Sequence, residues 1–113
     1  MAIPTHQKII PPRNGEARLT PVEINDLAQQ LPNWKVVHST DEPRLQRSFK
    51  FKDFAEALAF TVRLGALAEE NDHHPSILTE WGRVTVDWWT HKIGGLHHND
   101  FIMAARTDEL YTK

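Results

Sequence analysis

The chain has 113 residues, 40% of them hydrophobic and 25% charged, which is enough for a single core and excludes a mainly disordered or fibrous protein. A net charge of −2 gives no global basic field for nucleic acid or an anionic membrane, and no apolar run nears the roughly 20 residues of a membrane span. With no cysteine, disulfide scaffolds, thiolate chemistry and sulfur-based zinc sites are excluded too.

Residues 1–18 carry Pro4, Pro11, Pro12, Asn14 and Gly15 without any period, and read as a flexible N-terminal tail or an arm that orders against a neighbour. No apolar stretch there precedes a small-residue cleavage site, so a cytoplasmic address is the expectation. A single domain is expected over residues 19–113. Thr20-Pro21-Val22-Glu23 is a capping box with proline at the first helical position, predicting a helix to about Gln30. Trp34 to Val37 and Leu45 to Phe51 follow as a hairpin, turning at Thr40 to Pro43.

Asp53 and Glu56 open the longest helical segment, about Asp53 to Asn71, which is apolar around most of its circumference. Pro75 ends it, because proline disfavours helix in the residue before it. Ile77 to Trp81 and Arg83 to His91 read as strands around Gly82. In the second, Val84, Val86 and Trp88 share one face; Arg83, Thr85, Asp87, Trp89 and His91 share the other. A last helix runs from His97 to about Tyr111. The order α-β-β-α-β-β-α predicts an α+β fold: a four-stranded antiparallel sheet with three helices on one face. The uncovered face is the expected location of a site.

Five of the seven histidines lie between His73 and His98. Imidazole titrates near neutrality, so a pair can hold one acid and one base at working pH. Glu69 or Asp72 can fix a tautomer, and Trp34, Trp81 and Trp89 are flat surfaces on which a heterocycle can stack. The set suits proton transfer on a bound aromatic ring system.

The run Glu69-Glu70-Asn71-Asp72-His73-His74-Pro75, followed at fixed spacing by Trp81, His91 and Asp100, resembles the pterin-4a-carbinolamine dehydratase family. The resemblance covers roughly Leu19 to Leu110 and includes Leu31-Pro32-Asn33-Trp34, Phe49-Lys50-Phe51-Lys52-Asp53-Phe54 and Gly95-Leu96. It implies an α+β homodimer or homotetramer that dehydrates 4a-hydroxytetrahydropterin to quinonoid dihydropterin, functionally linked to an aromatic amino acid hydroxylase. His73, His74, His91 and Glu69 then fall on catalytic positions. Asp72, His73, His74, Pro75, Trp89, Thr90, His91 and Lys92 fall on the substrate-contacting segments, with Trp34 as a further candidate surface for the pterin. Water loss needs a proton delivered to the 4a-hydroxyl and one taken from the neighbouring ring nitrogen. Neither a metal nor a redox cofactor is demanded. His73 and His91 are expected to be the acid–base pair, with His74 orienting the ring. Serine follows the Gly-Leu pair in many members, where this chain has His97, a change expected to bear on helix capping. Lys92 replaces an acid found in some members.

Plainer readings stand beside these. His73 and His74 can satisfy backbone groups at a helix end, and His97 and His98 can be solvated residues at a helix start. A metal site built on the histidines is disfavoured, because adjacent histidines do not easily converge on one ion. Asp100 reads first as a helix N-terminal acid, and the tryptophans read first as core. The competing function is a non-catalytic protein-association or assembly factor on the same fold.

Overall fold

Thr20 has the extended backbone of an N-cap (φ −77°, ψ 161°); its hydroxyl accepts from the Glu23 N–H, and the Glu23 carboxylate accepts from the Thr20 N–H. This box opens α1, Pro21–Ala28. It belongs to a computed structural model that describes residues 3, 9–13, 16–38 and 41–112. Strands β1, Lys35–Val37, and β2, Arg44–Lys50, follow as a hairpin; Thr40 of the expected turn lies outside the described residues. The Asp53 carboxylate accepts from the Glu56 N–H and caps α2, Phe54–Glu70. Then come β3, Ser76–Glu80, β4, Arg83–Trp88, a single 3-10 turn at His91–Ile93, and α3, His98–Tyr111.

The sheet is antiparallel throughout, in the order β1-β2-β4-β3. Val84, Val86 and Trp88 of β4 pair with Phe49, Arg47 and Leu45 of β2, so these six share a face. Every one except Arg47 is at most 1% exposed. Full burial of a large apolar side chain stabilises by about 1.5–3 kcal/mol. A one-residue slip would turn the whole set to solvent, and that fixes the register. Onto this face α2 brings Ala57, Phe60, Leu64 and Ala68, and α3 brings Phe101, Met103 and Ala104. The opposite face is mainly polar: the Ser48 and Thr85 hydroxyls are hydrogen-bonded, and Arg44 pairs with Asp87, with Val37 and Leu78 as its apolar members. The α+β architecture is thus the expected one.

Arg47 is the charged exception under the helices. Its guanidinium bonds Asp108 at 2.6 Å and lies over the Phe49 ring, so the charge enters the core edge already paired. The same Asp108 oxygen accepts from Trp34 Nε1 at 2.8 Å. Trp34 is therefore a core residue anchored to α3, and the expectation that it offers a pterin surface is corrected. Trp81 goes the other way: it sits in the β3–β4 turn, 74% exposed.

Residues Ile9–Pro12, read from sequence as part of a tail, pack on the domain. Ile9 joins the core and Pro12 is buried, while the Asn99 side chain donates to Ile10 O at 2.8 Å. Farther along, Leu19 N–H bonds Leu96 O and Arg18 bonds Gly94 O, so this arm runs along the 94–96 loop.

Candidate active site

The end of α2 determines where the first histidines go. Asn71 closes the helix, Asp72 adopts the left-handed conformation (φ 49°), Asp72 N–H bonds Glu69 O, and His73 N–H bonds Ala68 O. That pair of bonds is a Schellman motif, here with aspartate where glycine is usual. The chain reverses at once, and Pro75 leads it into β3. His73 is carried inward over the end of β4.

His73 lies flat on Trp88, with ring centroids 5.4 Å apart and planes 14° from parallel. Trp88 is fully buried, and its indole N–H donates to Thr107 Oγ1, so the platform is rigid. His73 Nε2 is 2.7 Å from Asp100 Oδ1. Asp100, on the first turn of α3, is fully buried; its Oδ2 accepts from the Thr90 hydroxyl at 2.8 Å and the His97 N–H at 2.9 Å. A carboxylate used on both oxygens requires the proton on His73 Nε2, which leaves Nδ1 uncommitted. The α3 N-terminus also favours negative charge there.

His74 and His91 are less enclosed. His74 Nε2 pairs with Glu69 at 2.5 Å, with both side chains more than half exposed. His91 stands on the 3-10 turn, 86% exposed, with Nδ1 3.0 Å from Glu42 Oε1. These two imidazoles and His73 nevertheless line one cleft of about 260 Å³, together with Asp72, Trp89, Thr90, Lys92, Asn99 and the arm residues Ile9, Pro11 and Pro12. Trp89 has the Arg44 guanidinium 3.7 Å above its ring, clamping it from one side. Among the described residues, no group of three or more His, Cys, Asp or Glu side chains is arranged to hold a metal ion.

Several expectations shift on this geometry. The site is not on the uncovered sheet face: it sits at the end of the sheet against Trp88, a core-facing residue. β4 stops at Trp88, so strand alternation no longer dictates where His91 points. The carboxylate that holds the enclosed histidine is Asp100; Glu69 serves His74 and does not line the cleft. Pro75 shapes the loop but is not part of the lining. Glu42 is the residue that reading the sequence missed, while Asp100, named in the family pattern, reads from sequence first as a helix N-terminal acid. The capping signal at Asp100 was visible and masked its second role.

His97 caps α3 with an imidazole. Its Nδ1 accepts from the Asn99 N–H and Asp100 accepts from its own N–H, a capping box in which histidine is the cap. The proton on Nε2 then donates to Glu16, 2.6 Å away. This hydrogen bond, with a second from the Arg13 N–H, holds the Glu16 carboxyl below its ordinary pKa.

The enclosed Asp100–His73 pair thus lies beside two exposed imidazoles at the end of a helix-covered antiparallel sheet. Residues 17–110 match the family model described as pterin 4 alpha carbinolamine dehydratase, and the chain belongs to that family. A Chlorobium limicola protein carrying that enzyme's name provisionally is 55% identical over 106 residues, 94% of each chain. A similarly named Nitrosococcus oceani protein is 60% identical over 93 residues, 82% of each. The crystal structure of a transcriptional coactivator/pterin dehydratase from Brucella melitensis superposes with a TM-score of 0.76 at 35% identity, covering 83% of this chain and 98% of that one. A pterin dehydratase-like protein identified as a RuBisCO assembly factor in the alpha-carboxysome gives 0.59 at 28%, covering 70% and 89%.

Proposed function

We propose that this protein is a hydro-lyase that converts 4a-hydroxytetrahydropterin to quinonoid dihydropterin. The observation that carries the reading is the His73–Asp100 pair stacked on Trp88 within a cleft shared with His74 and His91. In the reaction the N5–H proton leaves, the C4a–N5 double bond forms, and the 4a-hydroxyl departs as water after gaining a proton. His73, with Nε2 donating to Asp100, takes the N5 proton at Nδ1. His91, open to solvent and steadied by Glu42, protonates the departing hydroxyl and reloads from water. His74 and Trp89 orient the ring. Each general acid or base contributes about 10²–10⁴ in rate, which suits an elimination that already proceeds unaided. The reading extends to a homodimer or homotetramer working beside an aromatic amino acid hydroxylase in the cytoplasm. The test is whether the purified protein accelerates the appearance of quinonoid dihydropterin from fresh carbinolamine.

A second reading, a protein-association factor, is favoured by one feature. Phe54, Leu58 and Val62 form a stripe at four-residue spacing along α2, between 44% and 65% exposed. The assembly-factor relative points the same way. Well-folded protein that leaves the dehydration rate unchanged would select it.

A further inference from the structure

The aliphatic part of the cleft lining comes from the N-terminal arm: Ile9, Pro11 and Pro12. The other lining residues are polar, charged or aromatic and belong to the domain proper. The arm is held by three separate devices: burial of Ile9, the Asn99 bond to Ile10 O, and the hydrogen bond between His97 and Glu16. Two successive prolines restrict the backbone, so little conformational entropy is lost in keeping this wall in place. The family model begins at residue 17 and leaves the arm out. The match to the Chlorobium limicola protein spans 106 of 113 residues, leaves at most seven outside, and so takes in residues 8–16.

We infer that the arm is a specificity wall, which selects pterins bearing a short carbon substituent on C6. The inference rests on the proposed dehydratase reading for the orientation of the ring. C6 is bonded to N5, the atom that must face a histidine, so any C6 substituent is drawn into the cleft with the reacting edge. Polar ring atoms find partners on the domain side. A carbon chain finds its apolar contact on the arm, and pterins differ from one another chiefly in that chain.

The experiment compares 6-methyl and 6-unsubstituted carbinolamines as substrates, and the corresponding dihydropterins as ligands followed by tryptophan fluorescence. The variants are Pro11→Gly, the double change Pro11→Gly with Pro12→Gly, and Ile10→Ala as the control. The Ile10 side chain is 76% exposed and is not part of the cleft lining. Since Pro11 is exposed, its single variant keeps the test open if the double variant folds poorly. A methyl contact in an apolar pocket is worth about tenfold or more. Wild type and Ile10→Ala should therefore prefer the 6-methyl compounds about tenfold in both kcat/KM and binding. The proline variants should lose most of that preference, through KM rather than kcat. An unchanged preference in folded proline variants, or none in wild type, overturns the wall. Wild type that binds pterins with this preference but accelerates neither substrate overturns the dehydratase reading and leaves the wall standing.

Discussion

Asp100 and His73, 27 residues apart in sequence, meet at 2.7 Å with the carboxylate fully buried and the imidazole pressed on Trp88. One carboxylate thereby joins the Thr90 hydroxyl, the start of α3 and the enclosed histidine. Asp100 does not line the cleft, so it acts by holding the His73 ring and its tautomer.

Asp100→Asn should reveal that positioning role. The amide keeps the volume but offers one acceptor oxygen to three donors, leaving at least one buried donor unmet at a cost of about 1–3 kcal/mol. Turnover should drop about a hundredfold with pterin affinity changed far less, read from kcat, KM and a urea midpoint. A loss confined to stability would reduce Asp100 to a helix cap.

The two exposed histidines should separate in kinetics. His91→Ala removes the proposed acid, so kcat falls about a hundredfold. His74→Ala removes an orienting group, so KM rises with kcat changed little. Glu69→Gln should matter least, since an exposed pair contributes about 0–1 kcal/mol. Parallel losses at His74 and His91 would contradict the division of labour.

Asp72→Gly should stabilise the fold by about 1 kcal/mol, because a left-handed backbone burdens any residue with a Cβ. The urea midpoint reads the gain directly. A lower midpoint would mean that the aspartate side chain itself supports the loop.

His97→Ala should cost about 1 kcal/mol through loss of the α3 cap, and His97→Ser should recover most of it. Neither keeps the Glu16 contact, so amide exchange on the arm should rise in both. Equal destabilisation by alanine and serine would show that the imidazole is needed for more than capping.

The α1 cap sets a pH dependence. Bonds from the Thr20 N–H and hydroxyl hold the Glu23 carboxyl below its ordinary value of 4.5. The charged form is thus favoured by folding. Its contribution is complete above pH 4.5 and disappears as pH falls through the depressed folded value. Thermal scans between pH 5 and 2.5 should show Glu23→Gln losing less stability on acidification than wild type. Parallel curves would remove the cap from the acid response.

Much of this was legible where the controlling interaction is local. The Thr20–Glu23 box and the Asp53 cap each place a helix start to the residue, because cap and partner lie within one turn. The parity of Val84, Val86 and Trp88 identifies the core face, since alternation is a property of any single strand. The His73–Asp100 pair was not legible: it depends on β3 and β4 pairing and on α3 crossing the end of the sheet. Trp34 could have stacked on a ligand or entered the core, and a distant aspartate decides which. Ile9 and two prolines carry no period, so only tertiary packing distinguishes an arm from a loose end.

The most direct measurement follows quinonoid dihydropterin formation from fresh carbinolamine at neutral pH, with no protein, with wild type and with His73→Ala. Dihydropterin binding is recorded on both proteins. The acid–base account predicts acceleration by wild type of at least about a hundredfold, lost in the variant while pterin still binds. Acceleration that survives in His73→Ala, or none from folded wild type, would contradict it.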